Sequence, residues 1–218
     1  MSAYIAGLDV SHWNTVDWPA WAAKGYKFAW IKATEGTGWT DPKFLEHRAA
    51  ALAAGFKVGA YHYFRGAMDG SDQAEFFRAV AGDNALPPAI DVESVNNTGI
   101  AQATFANRLQ ECVGSVSSLF GRKPIIYTSR SKWSLLVGSA PQIASECDLW
   151  VAHYTTAAAP LLPLDWADWA VWQYTSIPLD QNRMRQEFWD TIVPPSDEVT
   201  LTLDRATFDK LKAAINAT

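Results

Sequence analysis

Leu86-Pro87-Pro88-Ala89-Ile90-Asp91-Val92-Glu93 is a short apolar run that ends in two carboxylates two residues apart. Read as a β-strand it has a defined geometry. Successive side chains alternate faces, so Asp91 and Glu93 point the same way, with Cα atoms roughly 6–7 Å apart. Two like charges at that range do not both ionise cheaply, so one pKa should rise toward that of a general acid. Paired carboxylates of this kind carry glycosidic bond hydrolysis. Alone, the pair also describes a strand end with two solvated acids, and the sequence on either side decides between these readings.

Working outward, the segment is the fourth of eight strand-like stretches. The others are Tyr4–Val10, Phe28–Ala33, Val58–Phe64, Pro124–Thr128, Leu149–His153, Trp169–Tyr174 and Val199–Leu203, and the fourth runs Pro88–Val92. All are rich in β-branched or aromatic residues. Helical patterns separate the early ones. Asp41–Ala54 opens with a capping Asp before Pro42 and stops at Gly55; Ser71–Ala81 stops at Gly82; Gln102–Phe120 stops at Gly121. Phe105, Leu109, Val113 and Val116 form one face of the third helix, and Phe208–Ile215 reads as a last helix. Later strands are joined by loops or short helices, and the polar, Pro-punctuated stretch Ser176–Ser196 reads as a long loop or small insertion. Alternating β and α units imply a mainly parallel sheet. The expected fold is α/β: a flattened TIM-like barrel of eight strands, incomplete in its last third, in one domain over residues 1–218.

In such a barrel, chemistry sits at the C-terminal ends of the strands. Polar and aromatic residues fall there strand after strand: Asp9 and Ser11-His12-Trp13; Lys32 and Glu35; Tyr61, Tyr63 and Arg65; Asp91 and Glu93; Tyr127; His153 and Tyr154; Gln173 and Tyr174; Asp204. Acids from strands one, four and eight converging on a mouth lined by Tyr and Trp describe a polysaccharide site. Asp9 reads as functional rather than as a cap for the turn into Trp18–Lys24, and Lys32 reads equally as a ligand group or as a partner for Glu35. His12, His62 and His153 lack metal-site spacing and read as hydrogen-bonded supports, and His47 as a surface helix residue. No Gly-rich phosphate loop or Gly-x-Ser-x-Gly elbow occurs.

Composition narrows the classes further. The chain has 218 residues, 49% apolar and 19% charged, enough for one sizeable core. A net charge of −5 argues against nucleic acid or anionic membranes as partners, and the apolar runs are too short or interrupted to span a bilayer. Most of the eleven Trp should be core, with a minority lining a cleft. Cys112 and Cys147 suggest two buried free thiols rather than a disulfide framework. Met1-Ser2-Ala3-Tyr4 runs into the first strand without the regions of a signal peptide. The expectation is a monomer held in a cytoplasm, or exported without a cleavable signal.

Seven motifs in order resemble the glycoside hydrolase family 25 lysozymes, the N-acetylmuramidases of bacteria and phages. They are Gly7-Leu8-Asp9-Val10-Ser11-His12-Trp13-Asn14, Trp30-Ile31-Lys32-Ala33-Thr34-Glu35-Gly36, Gly59-Ala60-Tyr61-His62-Tyr63-Phe64, Ala89-Ile90-Asp91-Val92-Glu93, Ile126-Tyr127-Thr128, Leu149-Trp150-Val151-Ala152-His153-Tyr154 and Trp172-Gln173-Tyr174-Thr175. The resemblance implies a flattened β/α barrel, cleavage of the β-1,4 bond after N-acetylmuramic acid in peptidoglycan, and no metal or organic cofactor. It maps the general acid onto Glu93, its partner carboxylate onto Asp91 and the strand-one acid onto Asp9. Tyr61, Tyr63, Tyr127, Trp150 and Tyr154 match sugar-binding aromatics, with Gln173, Lys32 and Glu35 beside them. The last motif departs from the family pattern, a short turn followed by Val-Asp-Leu-Asn-x-Phe. Leu203-Asp204-Arg205-Ala206-Thr207-Phe208 keeps the Asp and the Phe, so the fourth acid is assigned to Asp204, with Asp190 as the rival.

On this reading Glu93 protonates the glycosidic oxygen. Asp91 stabilises positive charge at the anomeric carbon or orients the substrate's N-acetyl group, which leaves retention and inversion both open. A phage endolysin kept in the host cytoplasm until lysis fits best, and an exported bacterial effector would carry the same sequence features. Two alternatives remain: a chitinase-like endo-N-acetylglucosaminidase, against which Ala89 and Leu86 stand where further acids belong, and a non-catalytic glycan-binding barrel.

Overall fold

The structure is a computed structural model that describes residues 4–193. Its one sheet has nine strands: β1 (Tyr4–Val10), β2 (Phe28–Glu35), β3 (Trp39–Thr40), β4 (Lys57–Tyr63), β5 (Ala89–Asp91), β6 (Ile125–Thr128), β7 (Asp148–Ala152), β8 (Val171–Thr175) and β9 (Asp180–Arg185). The order is β1-β9-β8-β7-β6-β5-β4-β2-β3, and a β1–β2 pairing closes eight of these strands into a barrel. β3 is a short antiparallel addition to the end of β2. The crossovers among β1, β2 and β4 to β8 make parallel ladders, as the alternating β and α pattern requires.

The strand period of two sorts the core into two layers. Inward residues Phe28, Trp30, Ala89, Ile125, Trp150, Val171 and Met184 fill the barrel. Outward residues Leu8, Val10, Ala29, Ile31, Ile90, Val92, Ile126, Leu149 and Val151 pack beneath the helices. Large inward rings require small neighbours. A Cβ on Gly7 would lie 2.3 Å from the Phe28 ring, and one on Gly59 2.4 Å from Nε1 of Trp30. That N–H donates to the Pro87 carbonyl at 3.0 Å.

The early helices cover the outer layer. The helix α1 (Trp18–Ala23) is capped by Asp17, which accepts from the Ala20 N–H at 3.0 Å. The helix α2 (Phe44–Ala53) begins three residues later than the sequence pattern indicated. Asp41 is not its cap, because its side chain is turned inward and held by His12. His47, expected on the surface, is buried at 5.9 Å from the Trp18 ring. The helices α3 (Gly70–Ala81) and α4 (Gln102–Phe120) follow the predicted bounds to within a residue, and Gly121 ends α4 in the left-handed conformation at φ 62°. Two short helices, α5 (Arg130–Leu136) and α6 (Pro141–Glu146), join the later strands. Cys112 and Cys147 are both buried free thiols. Among the described residues no helix is long and apolar enough to cross a membrane.

A further expectation is corrected. Ser176–Ser196, read as a long loop or small insertion, contains β9 and the helix α7 (Gln186–Ile192). β9 takes the place beside β1 that the sequence reading gave to Val199–Leu203, and it runs antiparallel to both neighbours. That later segment, Asp204 and the expected helix Phe208–Ile215 lie outside the described residues. The physical reason for the miss lies in the composition of β9. Its inward positions include Asn182 and only one apolar residue, Met184. Outward, the Arg183 guanidinium lies 5.4 Å from the Trp172 ring and 4.3 Å from the Tyr174 ring. Cation–π packing here does what aliphatic side chains do elsewhere, so no apolar alternation is written into the strand.

Candidate active site

The inward row of each barrel strand turns polar as it nears one end of the barrel. A cleft of about 220 Å³ opens there, lined by Asp9, Ser11, Trp13, Lys32, Tyr61, Tyr63, Asp91, Glu93, Tyr127, Trp150 and Asp180. β1 supplies Asp9, β2 Lys32, β4 Tyr61 and Tyr63, β5 Asp91 with Glu93 just beyond, β6 Tyr127 and β7 Trp150. β9 runs the other way, so its first residue, Asp180, reaches the same mouth. Asp180 pairs directly with Asp9 in the ladder. Directly opposed residues on antiparallel strands have Cβ atoms about 4.5–5.5 Å apart.

Asp9 is almost fully buried and held from below. Its Oδ2 accepts from Gln173 Nε2 at 2.8 Å and from Asn182 Nδ2 at 2.7 Å. Gln173 is a hub: its Oε1 also accepts from the hydroxyls of Tyr127 at 2.9 Å and Tyr154 at 2.7 Å. Asn182 Oδ1 accepts the Trp150 indole N–H at 2.7 Å. The floor is thus a connected polar network in which each amide orients a carboxylate and an aromatic ring together. Burial and the facing Asp180 charge push Asp9 up to about 8, against the lowering effect of its two amide donors.

Asp91 stands between Tyr63 on β4 and Tyr127 on β6 in the ladder. Burial, then the Glu93 charge, holds its carboxyl well above the usual range, with Lys32 opposing. The like charge of Glu93 thus acts on the more buried Asp91. Its Oδ1 is buried and has no hydrogen-bond partner among the described residues. Glu93 is the more accessible of the two. Its backbone carbonyl accepts from Asn97 Nδ2 at 2.8 Å; the same group donates to the Phe64 carbonyl at 2.7 Å, and Asn97 Oδ1 accepts the Gly66 N–H at 2.9 Å. Asn97 therefore clamps the loop that carries Glu93. Asp180, half-buried, is raised to about 6 by burial and then by the Glu93 charge. Burial and the surrounding acids raise the Tyr61 and Tyr127 phenols, so both remain neutral hydroxyls.

Lys32 is the cation among these acids. It donates to Glu35 at 2.8 Å and lies 5.0 Å from the Trp39 ring and 4.7 Å from the Tyr63 ring. Glu35 itself sits outside the cleft, paired with Arg65 at 2.8 Å as well, and this holds its carboxyl below the usual range. The remaining histidines are supports. His62 is buried between Thr34 Oγ1 and Gln73 Oε1, and His153 Nδ1 accepts the Leu161 N–H. No group of three or more His, Cys, Asp or Glu among the described residues is arranged to hold a metal ion.

Of the residues expected at the site, Asp9, Asp91, Glu93, Lys32, Tyr61, Tyr63, Tyr127 and Trp150 line one cleft. Gln173 and Tyr154 lie against it through the hub, and Glu35 stands behind Lys32. Trp150 is 1% exposed and forms floor rather than a stacking face. Asp190, on α7, is exposed and bonded to Gln186, outside the cleft. Sequence reasoning missed Asp180, Asn182 and Asn97, and it placed Trp13 at the mouth without naming it a binding residue. A signal for the first two was present: Leu179-Asp180-Gln181-Asn182-Arg183-Met184 keeps the Asp and Asn of the family's Val-Asp-Leu-Asn-x-Phe pattern in register, with Met for Phe, a short turn after Trp172-Gln173-Tyr174.

Comparison with known proteins agrees with this architecture. Residues 8–181 match the profile of the glycosyl hydrolases family 25. Lysozyme M1 of Streptomyces globisporus is 32% identical over 79% of this chain, which spans 62% of that protein's length. An N,O-diacetylmuramidase of a Chalaropsis species is 29% identical over 78% of the chain, with 87% of its own length matched. A solved lysozyme structure from Streptomyces coelicolor superposes with a TM-score of 0.80 at 28% identity, covering 88% of this chain and 99% of that one. Barrel, acid-lined mouth and sequence agree: this chain belongs to the glycosyl hydrolases family 25.

Proposed function

We propose that this protein is a muramidase that hydrolyses the β-1,4 bond between N-acetylmuramic acid and N-acetylglucosamine in peptidoglycan. One observation carries the reading: Asp9, Asp91, Glu93 and Asp180 converge from three strands, β1, β5 and β9, on a single aromatic-walled cleft. A fold needs no such concentration of like charge, which costs stability and suits a transition state that develops positive charge. The names of the lysozyme and muramidase relatives support the choice of substrate.

Glu93, the accessible member of the coupled pair, delivers the proton to the glycosidic oxygen. Asp91 lines the floor of the cleft, where its carboxyl orients the substrate's N-acetyl group or meets positive charge at the anomeric carbon. Asp180 stands on the opposite wall and is charged above about pH 6, beside an Asp9 that keeps its proton up to about pH 8, and Asp180 takes the fourth-acid role that the sequence reading gave to Asp204. Substrate enters through an open mouth, and its rings lie against Tyr61, Tyr63 and Tyr127.

The test is product chemistry. Purified peptidoglycan treated with the protein should release soluble fragments whose new reducing ends are muramic acid. Glucosamine at the new reducing ends would favour the chitinase-like alternative, and the absence of release at any pH from 4 to 8 would favour a glycan-binding barrel.

A further inference from the structure

Trp13 is 84% exposed, more than any other large apolar residue described. Solvent-facing indoles are common at loop tips, but this one is built on a pedestal. Directly beneath it lies the His12 ring, with centroids 4.4 Å apart and planes at 40°. His12 also abuts Trp39, at 5.2 Å. Asp41, whose side chain has no solvent exposure, fixes His12 twice. Its Oδ2 accepts from the His12 backbone N–H at 3.0 Å and lies 2.8 Å from Nδ1. Oδ1 of the same carboxylate accepts the Lys43 N–H at 2.9 Å, tying the arrangement to the start of α2. The cost of burying Asp41 is spent on holding one imidazole in place, which leaves Nε2 as the ring nitrogen free for a ligand.

Position gives this ladder its meaning. Trp13 stands at the rim of the acidic cleft, with most of its surface in solvent. Trp39 borders a second groove with Glu35, Arg65 and Met68. Lys32 lies against the Trp39 ring on the cleft side. The two aromatic rings therefore continue the cleft outward, away from the acids, along the loop after β1 and the β2–β3 hairpin.

We propose that Trp13, seated on His12 with Trp39 beside it, forms a saccharide subsite that holds a further pyranose ring of the glycan strand outside the acid pocket. The inference rests on the muramidase reading for the identity of the strand. The chemistry is that of sugar recognition: an exposed, pre-ordered indole offers its π-face to the C–H face of a pyranose, and a neighbouring imidazole nitrogen meets a hydroxyl. Because Asp41 has already fixed the pedestal, little ordering remains to be done on binding.

The experiment uses Glu93→Gln protein, which can bind without turning over, and peptide-free fragments of alternating N-acetylglucosamine and N-acetylmuramic acid, read by calorimetry. Trp13→Ala in that background should weaken hexasaccharide binding by about tenfold. Trp13→Tyr should restore it to within about threefold. Disaccharide binding should be equal in all three proteins, since it needs only the acid pocket. Hexasaccharide affinity unchanged by Trp13→Ala overturns the proposal, as does an equal loss for disaccharide and hexasaccharide, which would make Trp13 part of the acid pocket. Glu93→Gln protein that binds neither fragment overturns the muramidase reading and the subsite with it, an outcome distinct from one in which only the Trp13 variants leave binding untouched.

Discussion

The barrel has seven strands that run one way and one that runs the other, and the two kinds carry the site differently. In β2, β6 and β8 the inward row begins with apolar groups, Phe28 and Trp30, Ile125, and Val171, and turns polar toward the C-terminal end at Lys32, Tyr127 and Gln173. In β9 the order is reversed. Asp180 comes first, at the mouth; Asn182 is next, holding Asp9; Met184 comes last, in the apolar floor. The rule that chemistry sits at C-terminal strand ends is a rule about the mouth of the barrel, and it holds only for strands that run toward it. An antiparallel closing strand brings its acid at its start.

This contrast orders the tests. The largest effect belongs to the parallel set. Glu93→Gln keeps shape and hydrogen bonding but removes the transferable proton, so turnover on cell walls should fall by ~10²–10⁴-fold or more while glycan binding persists. Near-native activity in that variant would remove the proton donor from the scheme.

A smaller effect concerns stability. Asp9 and Asp180 have folded pKa values raised to about 8 and about 6, well above their usual 3.8. The folded state therefore holds protons that the unfolded state has released, and the stability they contribute is present below about pH 4 and lost as pH rises through 6 to 8. Asp180→Asn removes one of the two facing charges. Its melting temperature should equal wild type near pH 4 and exceed it at pH 8, by about 2–4 °C for each kcal/mol of relieved repulsion. A variant equal to or below wild type at pH 8 would mean that the facing acids do not strain the fold. The smallest effect belongs to Asp190→Asn. That residue is exposed on α7, and its rate should match wild type within the error of a turbidity assay.

Much of this was legible in the sequence because it depends on side-chain period. The inward and outward layers, the bounds of β1 and α4, and the row of Asp9, Lys32, Tyr61, Tyr63, Asp91, Glu93 and Tyr127 all follow from alternation in strongly apolar strands. What failed has a common cause. β9 is Asp-Gln-Asn-Arg-Met-Arg, stabilised by amide hydrogen bonds and by Arg183 over two aromatic rings, so it carries no apolar rhythm to detect. Asp41 was misplaced for a related reason: a polar residue that is buried because a partner satisfies it looks like a surface residue in a linear reading, and His47 was misplaced because its ring packs edge-on against Trp18. Trp13 belongs to the minority of Trp expected at the cleft, and its place at the end of strand one made it legible there.

The central claim is that the fourth acid of the site is the first residue of the antiparallel strand. It is tested most directly by measuring kcat/KM on solubilised peptidoglycan for Asp180→Asn and Asp204→Asn side by side, across pH 4 to 8. The account predicts a loss of ~10²-fold or more for Asp180→Asn. It also predicts a basic limb moved toward lower pH, because the Asp180 charge no longer helps Asp9 keep its proton, and an Asp204→Asn profile that overlays wild type. The reverse pattern, with Asp204→Asn crippled and Asp180→Asn active, would contradict it.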